Sequence, residues 1–359
     1  MFGNRRTILL GLILALAQFA DVANADYTFG TPTNLGPTVN SSLEDWGTSI
    51  PADGLELYFE SDRPGGEGTY DIWMSMRANK EDDWGAPTNL GPTINTPDWQ
   101  TSPVISADGL ELYFSDWDLW VTRRATVSDP WGEPEKGSTI YINTSTGAIS
   151  PCLSSDGLSL FLASPWPKSF GERDWDLYVS TRPTRDDLWS KPVNLGPTVN
   201  GVNSTPLNYC PAISADGLVL VFSSDRDGGF GRQDMWMTRR STTDGPWSEP
   251  VNLGPTINSD KGEVEAEISP DGRSLFFTSN RDGGYGDFDI WQASIDPVVD
   301  LNADGTVDVN DVVIMTEHWG ENYPLCDIGP TPFGDGIVDQ KDLLVLAEHM
   351  VEIDDANEL

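Results

Sequence analysis

The sequence has few of the residues on which most catalytic and metal sites depend. Its 359 residues include two histidines, His318 and His349, and three cysteines, Cys152, Cys210 and Cys326. Because both histidines lie near the C-terminal end, Ser-His-Asp, Cys-His and histidine-zinc chemistry are excluded from the rest of the chain. The cysteines are too scattered for a disulfide framework, although one bridge between Cys152 and Cys210 is an open alternative in an oxidising compartment.

Basic residues are also scarce. Lysine and arginine number 21 against 57 aspartates and glutamates, which gives a formal net charge of -36. Such a charge repels nucleic acids and anionic membranes, and it suits cations and neutral ligands. Beyond the first 25 residues no apolar run approaches the roughly 20 residues that span a bilayer. We therefore expect no nucleic-acid partner and no membrane span.

The longest apolar run lies at the N-terminus, in "MFGNRRTILLGLILALAQFADVANA". Two arginines precede the run at 8–17, and Ala23, Asn24 and Ala25 form a small-x-small cleavage site. This pattern predicts a signal peptide over 1–25. No cysteine follows the run, so we expect an exported protein without a lipid anchor, located in the periplasm, at the cell surface or outside the cell.

One unit occurs five times along the chain. "ADGLELYF" begins at 52 and again at 107, and related copies are "SDGLSLFL" at 155, "ADGLVLVF" at 215 and "PDGRSLFF" at 270. Each copy has an Asp-Gly turn between alternating apolar residues, which predicts a β-hairpin. A third strand follows, as in "DIWMSM" at 71, and a fourth carries Trp-x-x-Pro and usually "NLGPT".

The repeat length and its incomplete last copy predict the fold. The number of residues between successive copies is typical of one propeller blade. The fifth copy ends after "DIWQAS" without its own fourth strand, whereas "YTFGTPTNLGPTVN" at 27 has the sequence of one. We predict an all-β, five-bladed β-propeller over 26–296 that is closed by the N-terminal strand, so that no sheet edge is exposed.

These repeats resemble the TolB-type, WD-like propellers, which have a "SPDG" or "SADG" turn followed by "SDRDGG" and "DIW". The resemblance implies a fold used for ligand binding, for protein interaction and occasionally for catalysis. Three blades carry the glycine-rich loop, as in "SSDRDGGFGRQDMW" at 223, so we interpret it as structural. We expect its arginine to pair with the aspartate that opens the third strand: Arg63 with Asp71, Arg226 with Asp234 and Arg281 with Asp289.

Function is expected where the repeat breaks, on the propeller face around the central channel. The aromatic candidates for ligand contacts are Trp46, Trp99 and Tyr209 before first strands, and Trp117 and Trp166 where two blades lack the glycine-rich loop. Such side chains suit sugar stacking or a partner's side chains. The alternative role for each is packing between blades.

Two alternatives to a non-catalytic binding propeller stay open. The first is a polysaccharide-degrading enzyme, an O-glycosyl hydrolase that uses two carboxyl groups in the channel. Its candidate acids are Glu263, Glu265 and Glu267 in "KGEVEAEISPDG", because they do not recur in other blades. The second is a structural cell-surface or envelope protein.

The segment 297–359 differs from the rest in composition and carries a predicted calcium site. "DLNADGTVDVND" at 300–311 matches the D-x-N-x-D-G calcium loop. The predicted ligands are Asp300, Asn302, Asp304, the carbonyl of Thr306, Asp308 and Asp311. Because four carboxylates on one point repel each other without a cation, we expect calcium binding and folding to be coupled.

The calcium-loop pattern returns 31 residues later. Asp335, Asp339 and Asp342 correspond to the last three acids of the first loop, and Asp327 is the predicted first ligand, across an insertion. This duplicated loop and helix resembles a dockerin domain, which implies a small helical domain, calcium, and a cohesin-like or other surface protein as partner. The main expectation is therefore an exported propeller that binds a glycan or a protein and is attached through this tail.

Overall fold

The computed structural model describes residues 27–116, 118–136, 149–165, 175–201 and 206–350. The chain divides into two compact units, of which the larger is Phe29–Ile295 and the smaller contains the segment from Asp296 onwards. None of the helices in these ranges is long and apolar enough to cross a membrane. The predicted signal peptide, Trp117 and Trp166 lie outside the described residues.

Antiparallel strands make up most of the larger unit. In chain order they are β1 Tyr27–Phe29, β2 Thr33–Asn34, β3 Asp45–Ser49, β4 Glu56–Ser61, β5 Asp71–Met76, β6 Thr88–Asn89, β7 Thr101–Ile105, β8 Glu111–Ser115, β9 Leu119–Arg123, β10 Glu135–Lys136, β11 Ile149–Leu153, β12 Ser159–Ser164, β13 Asp176–Thr181, β14 Val193–Asn194, β15 Asn208–Ile213, β16 Val219–Ser224, β17 Asp234–Arg239, β18 Val251–Asn252, β19 Glu263–Ile268, β20 Ser274–Ser279 and β21 Asp289–Pro297. The helical segments are α1 Gly36–Val39, α2 Pro197–Asn200, α3 Gly254–Ile257, α4 Val309–Glu317 and α5 Gln340–His349.

The strands form five separate sheets, each an up-and-down meander. The fifth sheet combines β19, β20 and β21 with strands from the N-terminus, and Asn34 of β2 lies opposite Trp291 of β21. The N-terminal strand therefore completes the last blade. The prediction of an all-β, five-bladed propeller is confirmed.

The repeated Asp-Gly turns join the first and second strands of each blade. In blade 2 the carboxylate of Asp108 accepts hydrogen bonds from the Ser106 hydroxyl, at 2.6 Å, and from the Leu110 amide, at 3.2 Å. Gly109 has a φ of 72°, a conformation that glycine adopts without a steric penalty. The same residue types recur in other blades because this turn requires them.

The apolar core lies between adjacent blades. Successive residues of β4 point to opposite faces of blade 1, as the two-residue period of a strand requires. Phe59 packs in a cluster with Phe276 of blade 5, whereas Tyr58 packs in a cluster with Leu112 of blade 2. Each sheet is therefore buried on both faces, which explains why the second strands are almost continuously apolar.

The arginine pairs predicted for the glycine-rich loops are wrong. Arg63 forms an ion pair with Asp45, and Arg281 forms one with Glu263 at 3.2 Å. Arg226 donates a hydrogen bond to the Asn208 side chain at 2.8 Å. Each arginine therefore contacts the residue that begins the first strand of its blade. The aspartates that open the third strands accept loop amides instead, as Asp234 does from Phe230 at 2.6 Å. The aspartates that open third strands also accept an amide proton from the asparagine of "NLGPT" in four blades, which explains that motif: Asn34 to Asp289, Asn89 to Asp71, Asn194 to Asp176 and Asn252 to Asp234.

The smaller unit has two loop-helix elements around its own apolar core. That core contains Leu301, Met315, Cys326, Ile328, Val338, Val345 and Leu346. Both helices begin with a capping box, formed by Asp308 and Asp311 in α4 and by Asp339 and Asp342 in α5. Both acids of each pair therefore stabilise the start of their helix.

Candidate functional site

A ring of five equivalent residues surrounds the central channel. Each innermost strand has a bulge, and the bulge residues are Gly47, Ser102, Ser150, Cys210 and Glu265, with φ between 50° and 59°. They contribute to a cavity of about 30 Å³, which has room for a water molecule and not for a sugar ring. The channel is therefore closed to a polysaccharide at this level.

Two carboxyl groups meet at this ring. Glu265 Oε2 is buried and has no hydrogen-bond partner among the described residues, and burial raises the pKa of Glu265 to about 7. Glu60 of β4 accepts a hydrogen bond from the Ser102 amide of the next blade. Burial and the nearby charge of Glu265 raise the pKa of Glu60 well above its ordinary value. The two groups therefore bind protons more readily than exposed carboxylates do.

Sequence reasoning missed Glu60. The same position in blades 2 to 5 is occupied by Ser115, Ala163, Ser223 and Thr278. Glu60 is thus the one acid at this place in the repeat, and an alignment of the five second strands would have found it.

The other two candidate acids differ in their surroundings, and Glu267 also lines the small cavity that Glu265 faces. Glu263 is fully buried and accepts hydrogen bonds from the hydroxyls of Ser259, at 2.6 Å, and Ser279, at 3.0 Å, besides its ion pair with Arg281. Burial raises the pKa of Glu267 to about 8. Glu267 lines a cavity of about 210 Å³ at the other end of the channel, whose lining is part apolar and part polar and includes Lys80 and Asp271. The described residues do not place two of the three candidates in one sugar-sized space.

The channel cysteines are not joined. Cys152, Cys210 and Cys326 are all free thiols, so the alternative of a Cys152–Cys210 bridge is not realised. Cys152 Sγ accepts the Ile213 amide at 3.3 Å, and Cys210 Sγ lies 3.3 Å from Ser150 Oγ. Burial raises the pKa of both channel thiols beyond the usual range, which keeps them protonated and unreactive.

Two of the predicted ligand-binding aromatics lie at junctions between blades. Trp46 stacks on Phe288, and Tyr209 packs beside Trp175 with ring centroids 5.2 Å apart. Trp99, in contrast, is 48 % exposed. The geometry of Trp46 and Tyr209 fits blade packing, whereas the side chain of Trp99 is about half exposed.

Two exposed aromatics were missed because their loop was interpreted as structural. Phe230 is 50 % exposed and Tyr285 is 51 % exposed, and each occupies the tip of the glycine-rich loop in its blade. The equivalent residue in blade 1 is Glu67. That difference within an otherwise constant loop was the available signal.

The two loops of the smaller unit share one pattern of hydrogen bonds. The Asp300 carboxylate accepts the amides of Asp304 and Gly305, and that of Asp327 accepts the amides of Asp335 and Gly336. The structure therefore places Asp327 in the second loop where Asp300 stands in the first, despite the insertion.

The acids at the ends of the loops also correspond. Asp311 accepts the Leu301 amide at 2.8 Å, and Asp342 accepts the Ile328 amide at 2.7 Å. Both side chains are fully buried. The first and last acids of the two loops thus accept hydrogen bonds from corresponding backbone amides.

The loop residues fit calcium in donor chemistry and backbone shape. All predicted donors are oxygens, which is the ligand type of calcium, and Gly305 and Gly336 have φ of 90° and 92° at the sharp turn. Asp335 Oδ1 is buried without a hydrogen-bond partner in the described part of the chain. Within those same ranges no three His, Cys, Asp or Glu side chains are grouped closely enough to hold a metal ion. Ligation would therefore require the carboxylates to move together.

No protein-family model matches the chain, and no curated protein matches it in sequence. Solved structures share its propeller at low identity. A putative TolB from Agrobacterium tumefaciens is 18 % identical over 70 % of this chain and 78 % of that protein, with a TM-score of 0.41. An α-L-arabinofuranosidase from Lactobacillus brevis is 15 % identical over 74 % and 94 % of the two chains, with a TM-score of 0.45.

A GH43_12 protein from a capybara gut metagenome is 14 % identical over 75 % of this chain and 57 % of that protein, with a TM-score of 0.46. These structural neighbours thus include a TolB protein and glycoside hydrolases. At such low identity and TM-score they do not transfer an activity. We therefore infer the function from the residues of this chain.

Proposed function

We propose that this protein is an exported propeller that binds a ligand without catalysis. Its C-terminal segment folds in a calcium-dependent way and attaches the protein to a protein partner. The observation that carries the proposal is the matched hydrogen-bond framework of the two tail loops. Two copies of one acidic loop, each followed by a capped helix, suit two calcium sites better than a solvated acidic turn.

Calcium, when bound, would neutralise the clustered carboxylates of each loop. In the first loop the proposed ligands are Asp300, Asn302, Asp304, the carbonyl of Thr306, Asp308 and Asp311. In the second they are Asp327, Asp335, Asp339 and Asp342. Lys341 forms an ion pair with Asp335, so a cationic side chain already occupies part of the second loop. We therefore expect the first loop to bind calcium more tightly.

The tail helices support a protein partner because they expose apolar side chains at corresponding positions. Val313 of α4 is 51 % exposed, and Leu344 of α5, 31 residues later, is 57 % exposed. Trp319 and Met350, also 31 residues apart, are 47 % and 36 % exposed. Such a duplicated apolar pattern fits a partner surface such as that of a cohesin-like protein.

The propeller is proposed to bind without catalysis because Glu263 and Glu265 do not form a hydrolytic pair around a ligand-sized space. Asp271 shares the cavity of about 210 Å³ with Glu267, but it is engaged in the Asp-Gly turn that recurs in every blade. Glu263 is held by an ion pair, and Glu265 faces a cavity of about 30 Å³. The propeller also contains no histidine. Binding of a glycan or protein on the loop face is therefore favoured over O-glycosyl hydrolysis.

The test is calorimetric titration of the full chain with calcium, together with Asp300→Ala and Asp327→Ala. We expect two sites in the parent protein, and each variant should lose one of them. Asp260→Ala is the matched control, because its side chain is 85 % exposed in the propeller and the substitution removes the same charge. Absence of binding, or binding unchanged in both loop variants, would contradict the proposal.

A further inference from the structure

The tips of the glycine-rich loops have one backbone conformation but different side chains. The amides of Phe230 and Tyr285 each donate to the aspartate that opens the next strand, Asp234 and Asp289. In blade 1 the Glu67 amide donates to Asp71 in the same way. The loop thus folds equally well with glutamate at its tip, so its conformation does not require an aromatic residue.

The residue after each aromatic tip packs closely against the following blade. An added Cβ at Gly231 would come 1.8 Å from the Lys261 carbonyl, and one at Gly286 would come 1.6 Å from the Leu43 carbonyl. The Arg232 amide also donates to the Lys261 carbonyl at 3.0 Å. Because this packing restrains the loop backbone, a ligand would have less of it to order on binding, which lowers the entropic cost of association.

The loops that carry the two aromatic tips expose more acids than bases, since Arg232 is their one exposed basic residue. Asp225 and Asp227 belong to the loop of Phe230, and Asp282 and Asp287 belong to the loop of Tyr285; all four are exposed. These carboxylates repel a polyanion and can accept hydrogen bonds from hydroxyl groups. Aromatic faces offer apolar contact beside them, which together suits the mixed apolar and hydroxyl surface of a neutral sugar.

We propose that Phe230 and Tyr285 form a stacking platform for a neutral polysaccharide. The rings stand on adjacent blades, so a ligand that contacts both must extend from one blade to the next, as a polymer does. This inference rests on the proposed binding function of the propeller and names its ligand class and its contact residues.

The experiment is affinity electrophoresis of the full chain in gels that contain galactan, arabinan or xyloglucan, with polygalacturonate as the anionic comparison. The test variant is Phe230→Ala with Tyr285→Ala. The control is Leu188→Ala with Val127→Ala, because these side chains are 65 % and 48 % exposed in loops that join third and fourth strands, away from the glycine-rich loops. Thermal unfolding of all three proteins checks that each is folded.

We expect retardation in at least one neutral polysaccharide and not in polygalacturonate. Binding should weaken roughly tenfold in the double variant, as expected for the loss of two stacking contacts, and stay unchanged in the control. Retardation that persists in the double variant would overturn the platform while leaving a binding propeller. No retardation by any neutral polysaccharide would overturn the ligand class, and the calcium titration would still test the tail independently.

Discussion

Trp46 stacks on Phe288 with ring centroids 3.9 Å apart and planes inclined by 27°. The pair lies where blade 1 meets blade 5, the junction at which the propeller closes. The Asp45 amide also donates to the Phe288 carbonyl at 2.9 Å, and Trp46 Nε1 donates to Glu44 at 3.1 Å. Closure is thus supported by side chains and main chain together, in addition to the pairing of β2 with β21.

Trp46→Ala should destabilise the propeller by about 2 kcal/mol, since it removes a stacked and partly buried ring. Trp99→Ala is the comparison, and it should cost less free energy of unfolding, about 1 kcal/mol, because about half of the side chain is exposed. Urea unfolding followed by fluorescence measures both. Equal losses in the two variants would contradict the assignment of Trp46 to the blade junction.

Stability should fall as the pH rises from about 5 to 8, in part because of Glu265. Its pKa in the folded protein is raised to about 7 by burial, so folding favours the protonated acid. The stabilisation is complete below the pKa of the unfolded chain and is lost as the pH passes the folded pKa. Glu265→Gln should therefore reduce the fall in the free energy of unfolding over this pH range by on the order of 3 kcal/mol.

The exposed acid Glu249 provides the control for this pH dependence. Glu249→Gln removes the same ionisable group from the surface, so its pH profile should follow that of the parent protein. An identical slope in the parent, Glu265→Gln and Glu249→Gln would show that Glu265 is not protonated in the folded channel.

Glu67→Phe should strengthen binding of a neutral polysaccharide. Blade 1 has the same loop as blades 4 and 5, with its amide held by Asp71, so phenylalanine at this tip would extend the platform by one ring. We expect a gain of roughly threefold to tenfold, the value of one added stacking contact. Affinity electrophoresis measures the gain, and unchanged or weaker binding would argue against recognition by the loop tips.

The fold was predictable because the period and the incomplete last repeat determine the number of blades and their closure. Asp327 was found by matching the second loop to the first across an insertion, and the structure gives it the hydrogen bonds that Asp300 has. The ion-pair partner of Arg63 was harder to predict, because Asp45 and Asp71 were both candidates. Its pairing with Asp45 depends on how the loop packs. Exposure of Phe230 and proximity of Glu60 to Glu265 likewise arise only from tertiary structure.

The central claim is that calcium organises the two tail loops, and hydrogen exchange of the full chain with and without calcium tests it most directly. We predict slower amide exchange in 300–317 and 327–349 when calcium is present, with the propeller amides unchanged, and loss of the effect for 300–317 in Asp300→Ala. Exchange that calcium leaves unchanged in both segments, or alters only in the propeller, would contradict it.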